Sequence, residues 1–239
     1  MTTSSMRSAF ILGAFICAGL IGLGLVGSGG FLQAKALERT VTVKGLSERE
    51  VPADIAIWPV RFSEADNDLV GLYARIEQRN ALVKSFLLEH GFDEGEISVS
   101  APAIVDRQAQ SYGDGGDVPF RYVATSTITV YTVKTDQVRA GQTRLVDLGK
   151  QGVAIAGDDY QARTQFLFTR LNDIKPEMIE EATRNAREVA GKFAADSDSA
   201  LGKIKTASQG QFSIDDRDSN TPHIKKVRVV ATVEYYLTD

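Results

Sequence analysis

The strongest pattern of hydrophobic and polar positions lies between Phe166 and Gly210. Its first residues alternate as in a strand, and the segment from Asn172 onward carries apolar side chains at helical spacing. Asn172 or Asp173 can cap this helix, and Pro176 is tolerated in a first turn. The apolar stripe consists of Ile174, Met178, Ile179, Ala182, Ala186, Val189, Ala190 and Phe193. The pattern predicts strand, helix and strand in succession.

The same order of patterns occurs earlier in the chain. Asn67 precedes an earlier helical pattern as Asn172 precedes the later one, and Gly91 and Gly202 follow the two helices. The elements are expected at about 54–62, 68–89, 96–107 and 121–133, and again at 160–169, 172–202, 203–216 and 225–237. The sequence therefore predicts an α+β fold, in which a strand–helix–strand–strand unit is used twice and antiparallel sheets pack on helices.

These elements predict one domain over residues 40–239. Its halves, about 40–133 and 159–239, are joined by a short helix at about 136–152. We expect the repeated parts, residues 54–133 and 160–238, to superpose on one another.

The chain begins with a long apolar segment. Residues 9–32 contain seven glycines and no charged side chain. A helix of that length spans roughly 36 Å, against roughly 30 Å for the hydrocarbon core of a bilayer. So many glycines would make a poor helix in a soluble core, so a transmembrane helix is the better interpretation. We expect a cytoplasmic tail at 1–8, a single-pass anchor in the inner membrane at 9–32, and the domain in the periplasm.

Two further features of this segment bear on its role. Ala34-Lys35-Ala36 has the form of a signal-peptidase site, so cleavage after Ala36 is the alternative to a retained anchor or uncleaved signal. Ala14, Ala18 and Gly22 recur every four residues, a spacing that lets membrane helices pack closely. These three residues are the candidate positions for helix packing inside the membrane.

Composition excludes several classes of function. The net charge is −4 at pH 7, and the basic residues are spread along the chain, whereas a nucleic-acid binder needs a concentrated basic face. The only cysteine is Cys17, so the chain has neither a disulfide framework nor a cysteine-based metal site. The chain is therefore not expected to bind nucleic acid.

Two motifs near the start of the domain resemble a known family. Val43-Lys44-Gly45 is followed by a short acidic turn and by Val51-Pro52-Ala53-Asp54 before an apolar strand. This order resembles the opening of the SIMPL-domain family, and the likeness extends over about 40–238 through the alanine-rich helix to the last strand. The resemblance implies an envelope protein of Gram-negative type, with a two-part α+β domain that assembles into rings. It implies no reaction and no catalytic residues.

Candidate sites for chemistry are few. The two histidines, His90 and His223, have no partner at metal-ligand spacing. The segment 216–220 begins like a calcium loop, but Thr221 stands where the turn glycine is needed. Gly113 to Asp117 lacks the lysine of a phosphate loop and is better interpreted as a hairpin tip.

Charged and aromatic positions in the strands have structural explanations. Asp106-Arg107 and Asp216-Arg217 could be ligand-reading charge pairs, although solvated strand ends are the simpler interpretation. The basic run 225–228 is typical of an edge strand protected against aggregation. The aromatic side chains expected in the core or at an interface are those of Trp58, Phe62, Tyr235 and Tyr236.

Two hypotheses of function follow. The first is a non-enzymatic, membrane-anchored envelope protein without cofactor or metal, which contacts membrane lipid and self-assembles into a ring-type homo-oligomer in envelope integrity or stress tolerance. The second is a periplasmic module, released by cleavage, that binds a peptide or small metabolite between the two halves. A cleft lined by convergent polar groups would favour the second hypothesis.

Overall fold

The computed structural model describes residues 13, 15–25, 39–109, 119–156 and 163–238. Three helices follow residue 39 in this part of the chain: α1 (Leu69–Glu89), α2 (Thr135–Lys150) and α3 (Leu171–Asp196). The strands are β1 (Thr40–Pro52), β2 (Ile55–Asp66), β3 (Ile97–Val99), β4 (Ala103–Asp106), β5 (Tyr122–Thr132), β6 (Gln165–Leu167), β7 (Ala200–Gln209), β8 (Ser213–Asp216) and β9 (Ile224–Thr238). The predicted α+β class with antiparallel strand pairs is confirmed.

The amino-terminal segment is described only in part. Residues 15–25 are helical and exposed, and no helix in the described ranges has both the length and the apolar character needed to cross a membrane. The predicted segment 9–32 extends beyond the described residues on both sides. Ala14 and the Ala34–Ala36 motif also lie outside them, whereas Ala18 and Gly22 are exposed.

The described strands form two sheets. In the four-stranded sheet β9 lies between β1 and β7, and β8 also pairs with β9. In the five-stranded sheet the order is β3, β5, β2 and β6, and β4 also pairs with β5. β2 and β5 are antiparallel from Ala56 opposite Thr132 to Asp66 opposite Tyr122, and this long ladder organises its sheet.

The chain folds into two compact units that are discontinuous in sequence. Unit 1 comprises residues 39–48, 175–213 and 228–238, and unit 2 comprises residues 49–109, 119–156, 163–174 and 214–227. The order of elements within the two predicted copies is alike, namely β2-α1-β3-β4-β5 and β6-α3-β7-β8-β9. Their first strands are used differently: β2 pairs with β5, whereas the short β6 pairs with β2. In the second copy, the place beside the last strand, β9, is taken by β1 and not by β6.

Unit 2 has a core of large side chains. Trp58, Val60 and Phe62 alternate on the buried face of β2 and are almost fully buried. Helix α1 adds its apolar stripe from the same unit, with Leu72, Ile76, Val83, Phe86 and Leu87 buried. Asp68 caps this helix by accepting hydrogen bonds from the amides of Val70 and Gly71.

Helix α3 brings mostly small side chains to the core of unit 1, whose strands add Val43, Val233 and Tyr235. Helix α3 buries a residue at every fourth position, and these are Met178, Ala182, Ala186, Ala190 and Ala194. A Cβ atom on Gly45 in β1 would overlap the carbonyl oxygen of Ala182 and the amide nitrogen of Ala186. The glycine and the alanines together therefore let the helix backbone lie directly against the strand.

Candidate ligand-binding cleft

A cleft in unit 2 is built around two rings. Phe166 in β6 is buried, and its ring meets the ring of His223 edge-on, with centroids 6.0 Å apart and an interplanar angle of 67°. Two backbone bonds fix these segments, because Ala53 donates to the carbonyl of His223 and Asp54 donates to that of Leu167, both at 2.8 Å. The chain just before β2 therefore positions both rings.

The cleft has a volume of about 670 Å³, within the range of small-molecule sites. Its lining comes from α2, from the residues around β6 and from the loop before β9. The lining residues are Arg139, Gln142, Thr143, Arg163, Thr164, Phe166, Ser219, Asn220, Pro222 and His223. Polar groups from three separate segments thus converge on an aromatic floor.

The charge of this lining is positive. Arg139 and Arg163 contribute two guanidinium groups, and no carboxylate is among the lining residues. Arg139 pairs with Asp136 at 3.3 Å on the surface of α2. The amide of Gln142 donates to the hydroxyl of Thr164 at 2.7 Å. The cleft is therefore suited to a ligand that carries negative charge.

The loop that presents Ser219 and Asn220 is held in place by Asp218. Its carboxylate accepts the backbone N–H groups of Asn220 and Thr221, each at 2.8 Å, and a hydrogen bond from Arg217. The hydrogen bond from the hydroxyl of Thr221, then that from Arg217 and the two backbone bonds, strongly lower the pKa of Asp218. The carboxylate of Asp218 is therefore occupied within its own turn.

A smaller cavity of about 310 Å³ adjoins the same residues of unit 2. It shares Arg163 and Phe166 with the cleft and is also lined by Asp216 and Lys225. Lys225 is 7% exposed and its ammonium group is paired with the carboxylate of Asp216. The basic run 225–228 belongs to β9, which lies between β1 and β7, so the prediction of an edge strand is wrong. Lys225 in this run is buried, and Asp216 neutralises its charge.

Burial lowers the pKa of His223. The positive charges of Arg139 and Arg217 lower this pKa further, whereas the negative charges of Asp136 and Asp218 raise it. Because the ordinary value is about 6.5, the imidazole is neutral at pH 7. The ring can therefore offer the cleft both an apolar face and a hydrogen-bonding nitrogen.

The two adjacent charge pairs considered from the sequence do not form. Asp106 binds Arg121 through both carboxylate oxygens, at 2.9–3.2 Å, and this hydrogen bonding lowers the pKa of Asp106. Arg217 pairs with Asp218 and with Glu50 instead of Asp216. Asp106 is thus bound to Arg121, just before β5, and Asp216 is bound to Lys225 in β9. These pairings favour the interpretation of both aspartates as strand-end residues.

The remaining candidates have structural positions. His90 follows α1, and its Nδ1 lies 2.7 Å from the carbonyl oxygen of Phe86. Trp58, Phe62 and Tyr235 are buried, as expected of core aromatics. Gly113 to Asp117 lies outside the described residues.

The family follows from a comparison of the whole domain. A family model named SIMPL, with the description "Protein of unknown function (DUF541)", matches residues 41–235. The chain belongs to the SIMPL family. No curated protein is similar enough to this chain to count as a match.

In this SIMPL domain the two opening motifs have clear structural tasks. Gly45 of the Val-Lys-Gly motif lies so close to α3 that a Cβ atom on it would overlap the helix backbone. The adjacent residues of unit 1 lock that contact, since Asn185 donates to the carbonyl of Leu46 and Ser47 donates to Glu181, both at 2.8 Å. The family motif therefore encodes close strand–helix packing.

The aspartate of the second SIMPL motif holds the residues that lead into α3. Asp54 accepts the backbone N–H groups of Thr169, at 2.9 Å, and of Arg170, at 3.2 Å. The helix begins at Leu171, so the prediction that Asn172 or Asp173 caps it is wrong. The carboxylate that orders its start comes from a residue 115 positions earlier in the chain, a contact that local sequence does not reveal.

Proposed function

We propose that this SIMPL protein is a non-enzymatic binding module that takes up a small metabolite or a peptide in the cleft of unit 2. The observation that carries this proposal is the convergence of polar side chains from three chain segments on the rings of Phe166 and His223. The walls are ordered before binding, because Asp218 fixes one loop and Gln142 bonds to Thr164. Such preorganisation reduces the cost of ordering on binding.

A thermal-shift screen of the full-length protein in mild detergent tests the binding function. Ligands that raise the melting temperature are compared in wild type and in Thr143→Trp, which fills part of the cleft from an exposed position on α2. We expect stabilisation by at least one compound that Thr143→Trp abolishes. A library that stabilises neither protein, or stabilises both equally, would contradict the proposal.

The protein is further proposed to work while anchored in the inner membrane by its amino-terminal segment, with its SIMPL domain in the periplasm. The support is the uncharged segment 9–32, which is longer than the apolar region of an ordinary signal peptide. Intact-mass analysis of membrane-purified protein should find a chain that starts at or near Met1. A soluble form that begins at Leu37 would favour release by cleavage instead.

Self-assembly into a ring that serves envelope integrity or stress tolerance is the second proposed function. The specific observation in its favour is β7, an edge strand on which every residue from Lys203 to Gln209 is exposed. An open edge offers unpaired backbone groups to another chain, and identical subunits joined head to tail close into a ring or extend as a filament.

Mass photometry of the full-length protein tests this assembly. We expect a single multiple of the monomer mass, which Ile204→Glu in β7 reduces and Val146→Glu on α2 leaves unchanged. The two substituted side chains are matched, since both are exposed and apolar. A monomer at micromolar concentration would rule out the ring, and the binding module would remain.

The two halves are also proposed to derive from one duplicated unit. The two halves share the order of their elements and also one backbone hydrogen bond, which is made by the residue directly after β4 in the first half and directly after β8 in the second. Arg107 donates to the carbonyl of Arg121 and Arg217 donates to that of Ile224, each at 2.9 Å. An experimental structure in which residues 54–133 and 160–238 fail to superpose would refute the duplication.

A further inference from the structure

We propose that the cleft of unit 2 selects a small organic oxyanion, a carboxylate or a phosphate monoester, through Arg139 and Arg163. The apolar part of the ligand would lie on Phe166. This inference rests on the proposed binding function and adds the chemical class of the ligand.

The two guanidinium groups are available for a ligand. Among the described residues, Arg163 makes no ion pair or hydrogen bond to another side chain. Arg139 pairs only with Asp136, and their side chains are 48% and 91% exposed. An ion pair so exposed to water contributes little, so a ligand oxyanion can replace it at small cost.

Carboxylates near the cleft are already neutralised by other groups. Asp218 is satisfied by Arg217 and by two backbone N–H groups, and Asp216 is paired with Lys225. Of the aspartates around the cleft, Asp136 is the one that pairs with a lining arginine, in an exposed ion pair with Arg139, whereas Asp216 and Asp218 leave the charge of the lining arginines uncompensated.

The rest of the lining defines what else the ligand must carry. Phe166 and Pro222 offer an apolar surface, and the Phe166 ring is fixed by its edge-on contact with His223. Guanidinium groups bind carboxylate and phosphate oxygens through paired hydrogen bonds, which neutral or cationic groups cannot accept in the same way. A planar apolar group bearing an oxyanion thus matches both parts of the cleft.

Four matched probes test the inference by calorimetry on the full-length protein in mild detergent. Benzoate and phenyl phosphate carry the oxyanion, benzamide is the neutral counterpart of benzoate, and benzylamine is a cation. We expect at least one anion to bind more tightly than both benzamide and benzylamine. Arg139→Gln and Arg163→Gln should each weaken that binding about tenfold, or about 1.4 kcal/mol, because each removes one guanidinium donor to the oxyanion.

Arg144→Gln is the matched control, because Arg144 is an exposed arginine of the same helix that does not line the cleft. It should leave binding unchanged, and an equal loss in this variant would overturn the assignment. If benzamide or benzylamine binds as tightly as the anions and Thr143→Trp abolishes that binding, the binding function stands and the oxyanion inference fails.

If none of the four probes binds, the thermal-shift screen distinguishes failure of the binding function from failure of the oxyanion inference alone. Cleft ligands that are all neutral or cationic would retain the binding module and refute the oxyanion. Anionic ligands whose affinity falls in Arg163→Gln would support it. No cleft ligand of any charge would remove both proposals together.

Discussion

Units 1 and 2 each bury the apolar face of one long helix, but they do so with side chains of different size. Helix α1 of unit 2 inserts Leu72, Ile76, Val83, Phe86 and Leu87 into its core. Helix α3 contributes one methionine and four alanines at every fourth position to unit 1. The difference shows that an amphipathic stripe predicts which face is buried but does not set how closely the helix approaches its sheet.

Glycine positions show how the close approach is achieved. In unit 1 a small residue meets small residues, because Gly45 faces the backbone of α3 at Ala182 and Ala186. In unit 2 a small residue receives a large one, since a Cβ on Gly141 would lie 2.9 Å from the Trp58 ring. Unit 2 should therefore be sensitive to lost volume, and unit 1 to added volume.

Removal of volume from unit 2 has the largest expected effect. Phe62→Ala should lower the free energy of unfolding by about 3–5 kcal/mol, because this fully buried ring leaves a cavity. Urea titration followed by fluorescence reports on the correct unit, since Trp58 is the only tryptophan and belongs to the same core. Ala186→Gly in unit 1 should cost only about 1 kcal/mol. Equal losses in the two variants would contradict the contrast.

Addition of volume to unit 1 comes next. Gly45→Ala should cost about 1–3 kcal/mol or more, because the new methyl group meets helix backbone that cannot rotate away. Gly191→Ala in α3, the helix that Gly45 contacts, is the control. No atom lies within 4 Å of its added Cβ, so better helix propensity should stabilise it by up to about 1 kcal/mol. Far-UV circular dichroism during thermal unfolding measures both, and a neutral Gly45→Ala would refute close packing.

The helices could be predicted from the sequence because their signals are local. Apolar spacing gave α1 within a residue of its observed start, and it placed Ala182, Ala186 and Ala190 correctly on the buried face of α3. The predicted stripe was wrong at Val189 and Phe193, which are exposed, and it lacked Ala194, which is buried. The placement of β1 beside β9 could not be predicted, since nothing in the residues of a strand specifies its partner almost 200 positions away. The first residue of α3 was missed for the same reason, because Asp54 orders the residues before it.

The candidate cleft was not predicted, and its composition explains why. Arg139, Arg163 and Asn220 are ordinary exposed polar residues in three segments, without a motif or characteristic spacing. They converge only because β6 pairs with β2 and because His223 binds Ala53 through its carbonyl. The sequence did identify the opening motifs of the family, whose structural tasks are close packing and the ordering of a helix start.

Asp54→Asn should lower the free energy of unfolding moderately, and it shows how much of the stability of unit 2 comes from hydrogen bonding as opposed to apolar packing. The substitution keeps the shape but removes the charge that attracts the N–H groups of Thr169 and Arg170, at a cost of about 1 kcal/mol. Hydrogen exchange should become faster at these two amides and in the first turn of α3. Asp93→Asn, at an exposed acidic position of the same unit that does not contact these amides, should not change exchange there. Unchanged protection in Asp54→Asn would show that packing alone orders this turn.

The smallest expected effect is on the pH dependence of stability, which should change when His223 in the cleft of unit 2 is replaced but not when a core residue is replaced. Burial, and then Arg139 and Arg217, lower the pKa of His223 below its ordinary value, against the opposing charges of Asp136 and Asp218. The unfolded chain therefore binds a proton more readily than the folded one, so this contribution to stability is fully present above about pH 6.5 and is lost as the pH falls further. His223→Gln should unfold with a weaker pH dependence between pH 7 and pH 5, measured by urea titration with Trp58 fluorescence. Phe62→Ala changes the core without removing the titrating group, so it should keep the wild-type slope at lower stability. An unaltered slope in His223→Gln would mean that the histidine titrates alike in the folded and unfolded chain, and the cleft floor would then be open to water.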